Sequence, residues 1–261
     1  MTALHAIEIL VAGLWAGTIN AVVGSGTLVT FPVLLFLGYP PITANVSNNI
    51  GLVAGGFGSI RGYREELAGH GGTLRTLMPA SAAGSITGAL LLLVLPADAF
   101  KAIVPMLILL ALVLVITGPR LQKRFAELHA EAEAAEGGGP STRMPLLLAG
   151  VFVAGVYGGY FGAAQGVLLI GIMSVLLAEP LQRINAFKNV LGTCVNAVAA
   201  LVFIVVAWHK IDWQVAGLIA IGALAGGYLG ARIGRKLPPQ VLRGLIVVIG
   251  VIAIVKIVFY G

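Results

Sequence analysis

Two clusters of polar and small residues interrupt a chain that is otherwise almost continuous hydrocarbon, and they are where chemistry would reside. The first runs Gly24-Ser25-Gly26-Thr27, a short apolar run containing Pro32, Pro40-Pro41, then Asn45-Val46-Ser47-Asn48-Asn49. The second begins about 140 residues later as Ala164-Gln165-Gly166, an apolar run, Glu179-Pro180, then Asn185-Ala186-Phe187-Lys188-Asn189. The first tip lacks the GxxxxGK[ST] spacing of a phosphate loop, and no strand pattern precedes it. It offers instead a helix break followed by a new helix N-terminus. Such a terminus inside a membrane has free N–H groups and the positive end of a dipole, and an oxyanion satisfies both. Ser25, Gly26 and Thr27 would add donors, with Gln165 and Gly166 in the corresponding place of the second cluster. The same groups would equally serve to cap the break from within.

Spacing of four puts Asn45 and Asn49 on one helical face, and Asn185 and Asn189 likewise. Amides and a lysine are costly beside lipid, so they are expected to face a cavity or a partner helix. Lys188 stands where the first cluster has Asn48. A lone lysine among amides and helix N-termini favours an anion over a cation; alternatively it snorkels to the membrane interface. The expected substrate-binding residues are Ser25, Gly26, Thr27, Asn45, Asn49, Gln165, Gly166, Lys188 and Asn189. Asn20 and Asn196 read as hydrogen-bonding glue between helices.

Other chemistry finds little support. His70 and His209 fall in or beside loops with no HxxxH or carboxylate cluster, so neither a metal site nor a cofactor is expected. Glu8, Asp98 and Asp212 lie near segment ends, leaving no mid-span acid for a proton relay. No Ser-His-Asp set or paired carboxylate lies within the spans, so an enzyme is not expected. Cys194, the single cysteine, sits in an apolar run as a packing residue and excludes an internal disulfide.

The elements that must position these residues are membrane helices. Apolar residues are 59% of the 261 and charged residues 10%, with a mean hydropathy of +1.01; soluble domains run at roughly 45–50% and about 25%. Ten apolar segments emerge, at about 3–23, 26–38, 43–61, 73–95, 98–117, 144–162, 165–178, 182–207, 213–235 and 238–260. The first residues lack a basic leader and read as part of the mature fold. The second and seventh segments are too short to cross a core of roughly 30 Å and are expected to be broken or re-entrant.

The chain also repeats. Ala12-Gly13 matches Ala154-Gly155, Asn45 and Asn49 match Asn185 and Asn189, Gly84 to Gly88 matches Gly226 to Gly230, and Leu95-Pro96 matches Leu237-Pro238. Five segments per half make the second half begin on the opposite side, so the repeats are expected to be inverted. The resulting organisation is a first membrane repeat at 1–117, a polar cytoplasmic linker at 118–143 and a second, inverted repeat at 144–261. Thirteen lysines and arginines collect on one side, against Lys101, Lys210 and Lys256 on the other. That imbalance makes the first side cytoplasmic and puts both termini outside. Glycines four apart, as in Gly13/Gly17, Gly84/Gly88, Gly155/Gly159 and the ladder Gly222, Gly226, Gly230, Gly234, signal close helix packing and leave a homodimer open.

The sequence from Ala12-Gly13-Leu14 through Gly24-Ser25-Gly26, Pro32 and Asn45 to Asn49, with its echo in Lys188-Asn189 and Asp212-Trp213, resembles the sulfite exporter TauE/SafE family of bacterial membrane permeases. The likeness spans nearly the whole chain apart from the linker. It implies a permease of the bacterial inner membrane that moves small sulfur-containing anions, such as sulfite or sulfoacetate-like sulfonates, mainly outward. The second tip, Ala164-Gln165-Gly166, lacks the Gly-Ser-Gly of the first, so unequal contributions from the halves are expected. The alternatives are an importer of sulfonates, amino acids or other small solutes, and a non-transporting membrane scaffold or sensor.

Overall fold

A computed structural model describes residues 1–136, 144–177, 179–232 and 239–260, and among these residues the regular elements are all helical. In chain order they are α1 (Ala3–Val22), α2 (Thr27–Phe36), α3 (Pro41–Gly62), α4 (Arg64–Leu67), α5 (Gly71–Val94) and α6 (Ala97–Glu136), then α7 (Met144–Tyr160), α8 (Gln165–Leu176), α9 (Leu181–Val206), α10 (Trp213–Arg232) and α11 (Pro239–Tyr260), with a 3-10 turn at Trp208–Lys210. Five are long and apolar enough to cross a membrane: α1, α5, the Asp98–Arg120 part of α6, α9 and α10. The burial pattern is that of a protein dissolved in lipid. Val94 and Val205 are each 81% exposed, whereas Asn45, Asn48 and Lys188 are no more than 2% exposed. Hydrocarbon faces outward and the polar side chains point in.

The two short segments are short helices. With 10 and 12 residues, α2 and α8 rise about 15 and about 18 Å, well under a bilayer core of about 30 Å. Gly26, at the start of α2, lies against Ala16 and Asn20 of α1, where an added Cβ would come within 2.4 Å of the Ala16 carbonyl oxygen. The chain therefore starts α2 beside α1, not at its tip.

The apolar part of the fifth segment ends close to the expected 117, as the span Asp98–Arg120. The helix α6 continues through Pro119 to Glu136, so the charged stretch prolongs a membrane helix. Most of its polar residues are strong helix formers, and Pro119 costs one backbone bond without ending the helix. The Gly137-Gly138-Gly139-Pro140 run, Gly234 and Leu237-Pro238 lie outside the described residues.

Small residues bring the helices into backbone contact. The Cβ that Gly17 lacks would fall 2.3 Å from the Ala223 carbonyl oxygen, and that of Gly226 2.0 Å from the Leu14 carbonyl oxygen, locking α1 to α10. At a second seam, a Cβ on Gly88 would fall 2.0 Å from the Val156 carbonyl oxygen and one on Gly159 2.3 Å from that of Ser85, locking α5 to α7. The described part of the Gly222 ladder is thus occupied within the chain, against α1, while Gly227 abuts the Gly55 carbonyl oxygen of α3. Hydroxyls add cross-helix bonds: Thr18 Oγ1 donates to the Gly226 carbonyl at 3.1 Å across the α1–α10 seam, and Ser85 Oγ to the Val195 carbonyl at 2.7 Å between α5 and α9.

The packing partners pair off between halves. The α1–α10 contact answers α7–α5, α3–α10 answers α9–α5, α2–α11 answers α8–α6, and α3 meets α9 directly. That last contact sets the two asparagine-bearing helices face to face at the centre.

Candidate functional site

The site is built where α1 and α7 stop. Val23 and Gly24 both donate their N–H to the Ile19 carbonyl, and Phe161 and Gly162 both donate theirs to the Tyr157 carbonyl. Gly24 and Gly162 each take a positive φ, 83° and 78°, a conformation that glycine adopts without the Cβ clash of other residues. The chain then restarts as α2 at Thr27 and α8 at Gln165. This bonding pattern changes the register read from sequence. Gly24 corresponds to Gly162 and Thr27 to Gln165, so the counterpart of Ser25 is Ala163, not Gln165. The sequence match fails here because glycines recur every few positions, whereas the turn needs one glycine at one backbone angle.

A helix that ends inside a membrane leaves carbonyls without N–H partners. The asparagine-bearing helix of each half caps the broken helix of the other. Lys188 Nζ donates to the carbonyls of Asn20 and Ala21, both at 2.9 Å, and Asn189 Nδ2 donates to that of Ala21 at 3.2 Å. In return Asn45 Nδ2 donates to the Tyr160 carbonyl at 3.0 Å, at the last residue of α7. The two breaks also touch: the N–H of Gly166 donates to the Gly24 carbonyl at 3.0 Å. Lys188 does not snorkel. Its stem runs past both breaks, with Cδ 3.1 Å from where a Cβ on Gly24 would sit and 2.9 Å from one on Gly166.

Between the breaks lies a small cavity with room for about one or two water molecules. Its wall includes Asn20, Gly24 and Thr27 from the first break, Gly162, Gln165 and Gly166 from the second, Leu52 and Gly56 of α3, and Lys188, Asn189, Gly192, Thr193 and Asn196 of α9. Of the nine expected residues, Thr27, Gln165, Gly166, Lys188 and Asn189 line it. Gly26 sits one step behind, its N–H directed at Asn20 Oδ1 at 3.4 Å. Asn45 is committed to the α7 cap. Ser25 and Asn49 are buried beside the wall, with Ser25 Oγ and Asn49 Oδ1 lacking a partner among the described residues.

Asn20, Thr193 and Asn196 join the site, although glue was the reading for the two asparagines. Asn49 Nδ2 does reach Asn196 Oδ1 at 3.5 Å, so Asn196 both bridges helices and faces the cavity. The signal in the sequence was the run Asn189, Thr193, Asn196, three polar residues at spacings of four and three on one face of α9. Asn185 goes elsewhere: its Nδ2 donates to the Tyr63 hydroxyl at 2.7 Å, while Arg183 pairs with Glu179 and His70 Nε2 lies 3.9 Å from the same carboxylate.

Two features give the cavity its chemical character. Lys188 has three N–H donors, of which two meet carbonyls, and no carboxylate lies within ion-pair distance of it among the described residues. In its protonated form Lys188 thus brings to the site a positive charge that no carboxylate among the described residues pairs with. Gln165 is 4% exposed and its Nε2 has no acceptor among the described residues. Its amide occupies the space that the absent side chain of Gly158 leaves open, 2.3 Å from where a Cβ would be. No group of three or more His, Cys, Asp or Glu able to hold a metal occurs among the described residues.

The family model for sulfite exporter TauE/SafE matches residues 9–257. Among curated proteins, the chain is 27% identical over 259 residues to the probable membrane transporter protein ORF9 of a Sinorhizobium species, covering 98% of this chain and 93% of that one. It is 22% identical over 244 residues to the probable membrane transporter protein YfcA of Escherichia coli K12, covering 94% and 86%. A probable membrane transporter protein of Haemophilus influenzae is 24% identical over 250 residues, covering 95% and 92%. No solved structure matches the chain.

Proposed function

Because the chain belongs to the sulfite exporter TauE/SafE family, we propose that this multi-pass membrane protein exports small sulfur-containing oxyanions, sulfite or short sulfonates such as sulfoacetate, across the bacterial inner membrane. The observation that carries the reading is the unneutralised Lys188 ammonium beside the unpartnered amide of Gln165, in one cavity between two helix breaks. A buried cation with an open N–H and a second donor suits an anion and repels a cation. Thr27 Oγ1 accepts from Asn48 Nδ2 at 3.3 Å, which leaves its own proton for the solute. Ser25, Asn49 and Asn189 complete the shell as the cavity widens. Widening is required, since room for about one or two waters is less than a sulfonate occupies.

The two halves act as inverted repeats, 1–117 and 144–261, with 118–143 as the cytoplasmic linker. Matching breaks, reciprocal caps and answering helix contacts support this arrangement. Thirteen basic residues on one side support a cytoplasmic linker and external termini. Movement of the halves against each other would open the cavity alternately to each side. An anion leaving a cell that is negative inside gains about 2.3 kcal/mol per charge for each 100 mV. Export then needs no dedicated proton relay.

Calorimetric titration of the purified protein with sulfite, sulfoacetate, sulfate, acetate and glycine tests the solute class. Binding of the sulfur oxyanions in preference to acetate and glycine is expected. Preference for glycine, or no binding by any of them, would overturn the reading.

A further inference from the structure

The place where Lys188 ends is built from main-chain oxygen. At the C-terminal end of α1 the helix dipole is negative, and the carbonyls of Asn20 and Ala21 have no N–H of their own helix to receive. Oxygen atoms of a helix that ends within the membrane are a usual seat for a small monovalent cation. Here the two carbonyls converge on Lys188 Nζ at 2.9 Å each. The stem reaches them through the gap left by Gly24 and Gly166, where any other side chain would meet it.

The other half supplies the contrast. At the end of α7 the capping group is neutral, Asn45, and the residue in the place of Lys188 is Asn48, which turns to Thr27 and Thr30 instead. Only one of the two breaks therefore holds a charge.

We propose that the carbonyls of Asn20 and Ala21 form a monovalent-cation site, filled in this chain by the ammonium of Lys188 acting as a tethered ion. The protein thus carries its own counter-ion to the solute anion, next to the cavity. Transport is accordingly independent of external sodium or potassium. This rests on the proposed anion site only for its role in transport; the cation site itself stands on the α1 carbonyls.

Removal of the side chain in Lys188→Ala should leave a vacancy that a free cation enters. The measurement is thermal unfolding of the purified full-length variant in sodium, potassium, methylammonium and n-propylammonium chloride, with tetramethylammonium chloride at equal ionic strength as the control too large to enter. The expected result is a melting temperature about 3 to 6 °C higher in n-propylammonium, methylammonium or sodium than in tetramethylammonium at roughly ten times the dissociation constant, with the wild type indifferent to the same exchange. Lys188→Met, which keeps the stem and removes the charge, provides the second variant. If Lys188→Ala does not fold, it is to be purified in n-propylammonium throughout, and recovery of folded protein only in that salt supports the site. Equal melting in all five salts, or failure of both variants to fold in any of them, would overturn it. Because this readout contains no sulfur anion, it is independent of whether the solute assignment holds.

Discussion

At the scale of single residues, Lys188 and Gln165 carry the account, and each makes a separate prediction. Lys188 donates to two orphan carbonyls, has a third N–H beyond those two and lines the cavity, so Lys188→Ala should weaken sulfite binding by about tenfold or more. Lys210→Ala, in the Trp208–Lys210 turn away from the cavity, should leave the dissociation constant unchanged. Calorimetry on both variants decides, and equal effects would remove Lys188 from the site. Gln165 is tested without touching it. An added methyl in Gly158→Ala meets the far end of the Gln165 side chain, which is able to swing aside, so the fold survives while the amide leaves its place. Sulfite affinity should fall about tenfold with little change in melting temperature. A variant with wild-type affinity would show that the amide is idle. Much of this was legible in the sequence, because amides and a lysine inside hydrocarbon have few uses. What it did not convey was that Asn45, Lys188 and Asn189 cap helices of the opposite half. Their hydrogen bonds cross 115 to 168 positions of chain, beyond any local pattern.

At the scale of elements, the account rests on helix seams made by glycines and on two helix breaks, each followed by a helix too short to cross a bilayer core. Gly226→Ala puts a methyl 2.0 Å from the Leu14 carbonyl oxygen, where both neighbours are backbone and neither yields. It should cost about 1–3 kcal/mol. Gly217→Ala, on the same helix with nothing within 4 Å, should stabilise by up to about 1 kcal/mol through helix propensity. Thermal unfolding of the two variants in detergent checks the contrast; loss of stability in both would mean that the seam is not the cause. The shortness of α2 and α8 was visible from the spacing of Gly24, Pro40, Gly166 and Pro180. The register between the two breaks was not, since it depends on which glycine takes the positive φ. The fifth apolar segment was legible too, since the span of α6 able to cross a membrane is Asp98–Arg120 and the charged residues continue the same helix. Hydropathy falls after Thr117, while the helix itself runs on through Pro119 to Glu136.

At the scale of the whole molecule, the two breaks face each other across one cavity, and they differ in that Lys188 caps one and Asn45 the other. The proposed orientation rests on lysine and arginine counts and is directly measurable. With Cys194 replaced by serine, Thr2→Cys should react with an impermeant maleimide on intact cells, whereas Arg124→Cys should react only after permeabilisation. The reverse pattern would overturn the proposed orientation. The most direct test of the central claim, that the chain moves a sulfur oxyanion through a site built on Lys188, is charge movement in proteoliposomes on a solid-supported membrane. Addition of sulfite should give a transient current of the sign expected for entry of negative charge. The current should be absent with acetate, equal to wild type in Lys210→Ala and lost in Lys188→Ala. No current above that of empty liposomes, or the same current in Lys188→Ala as in Lys210→Ala, would contradict the account.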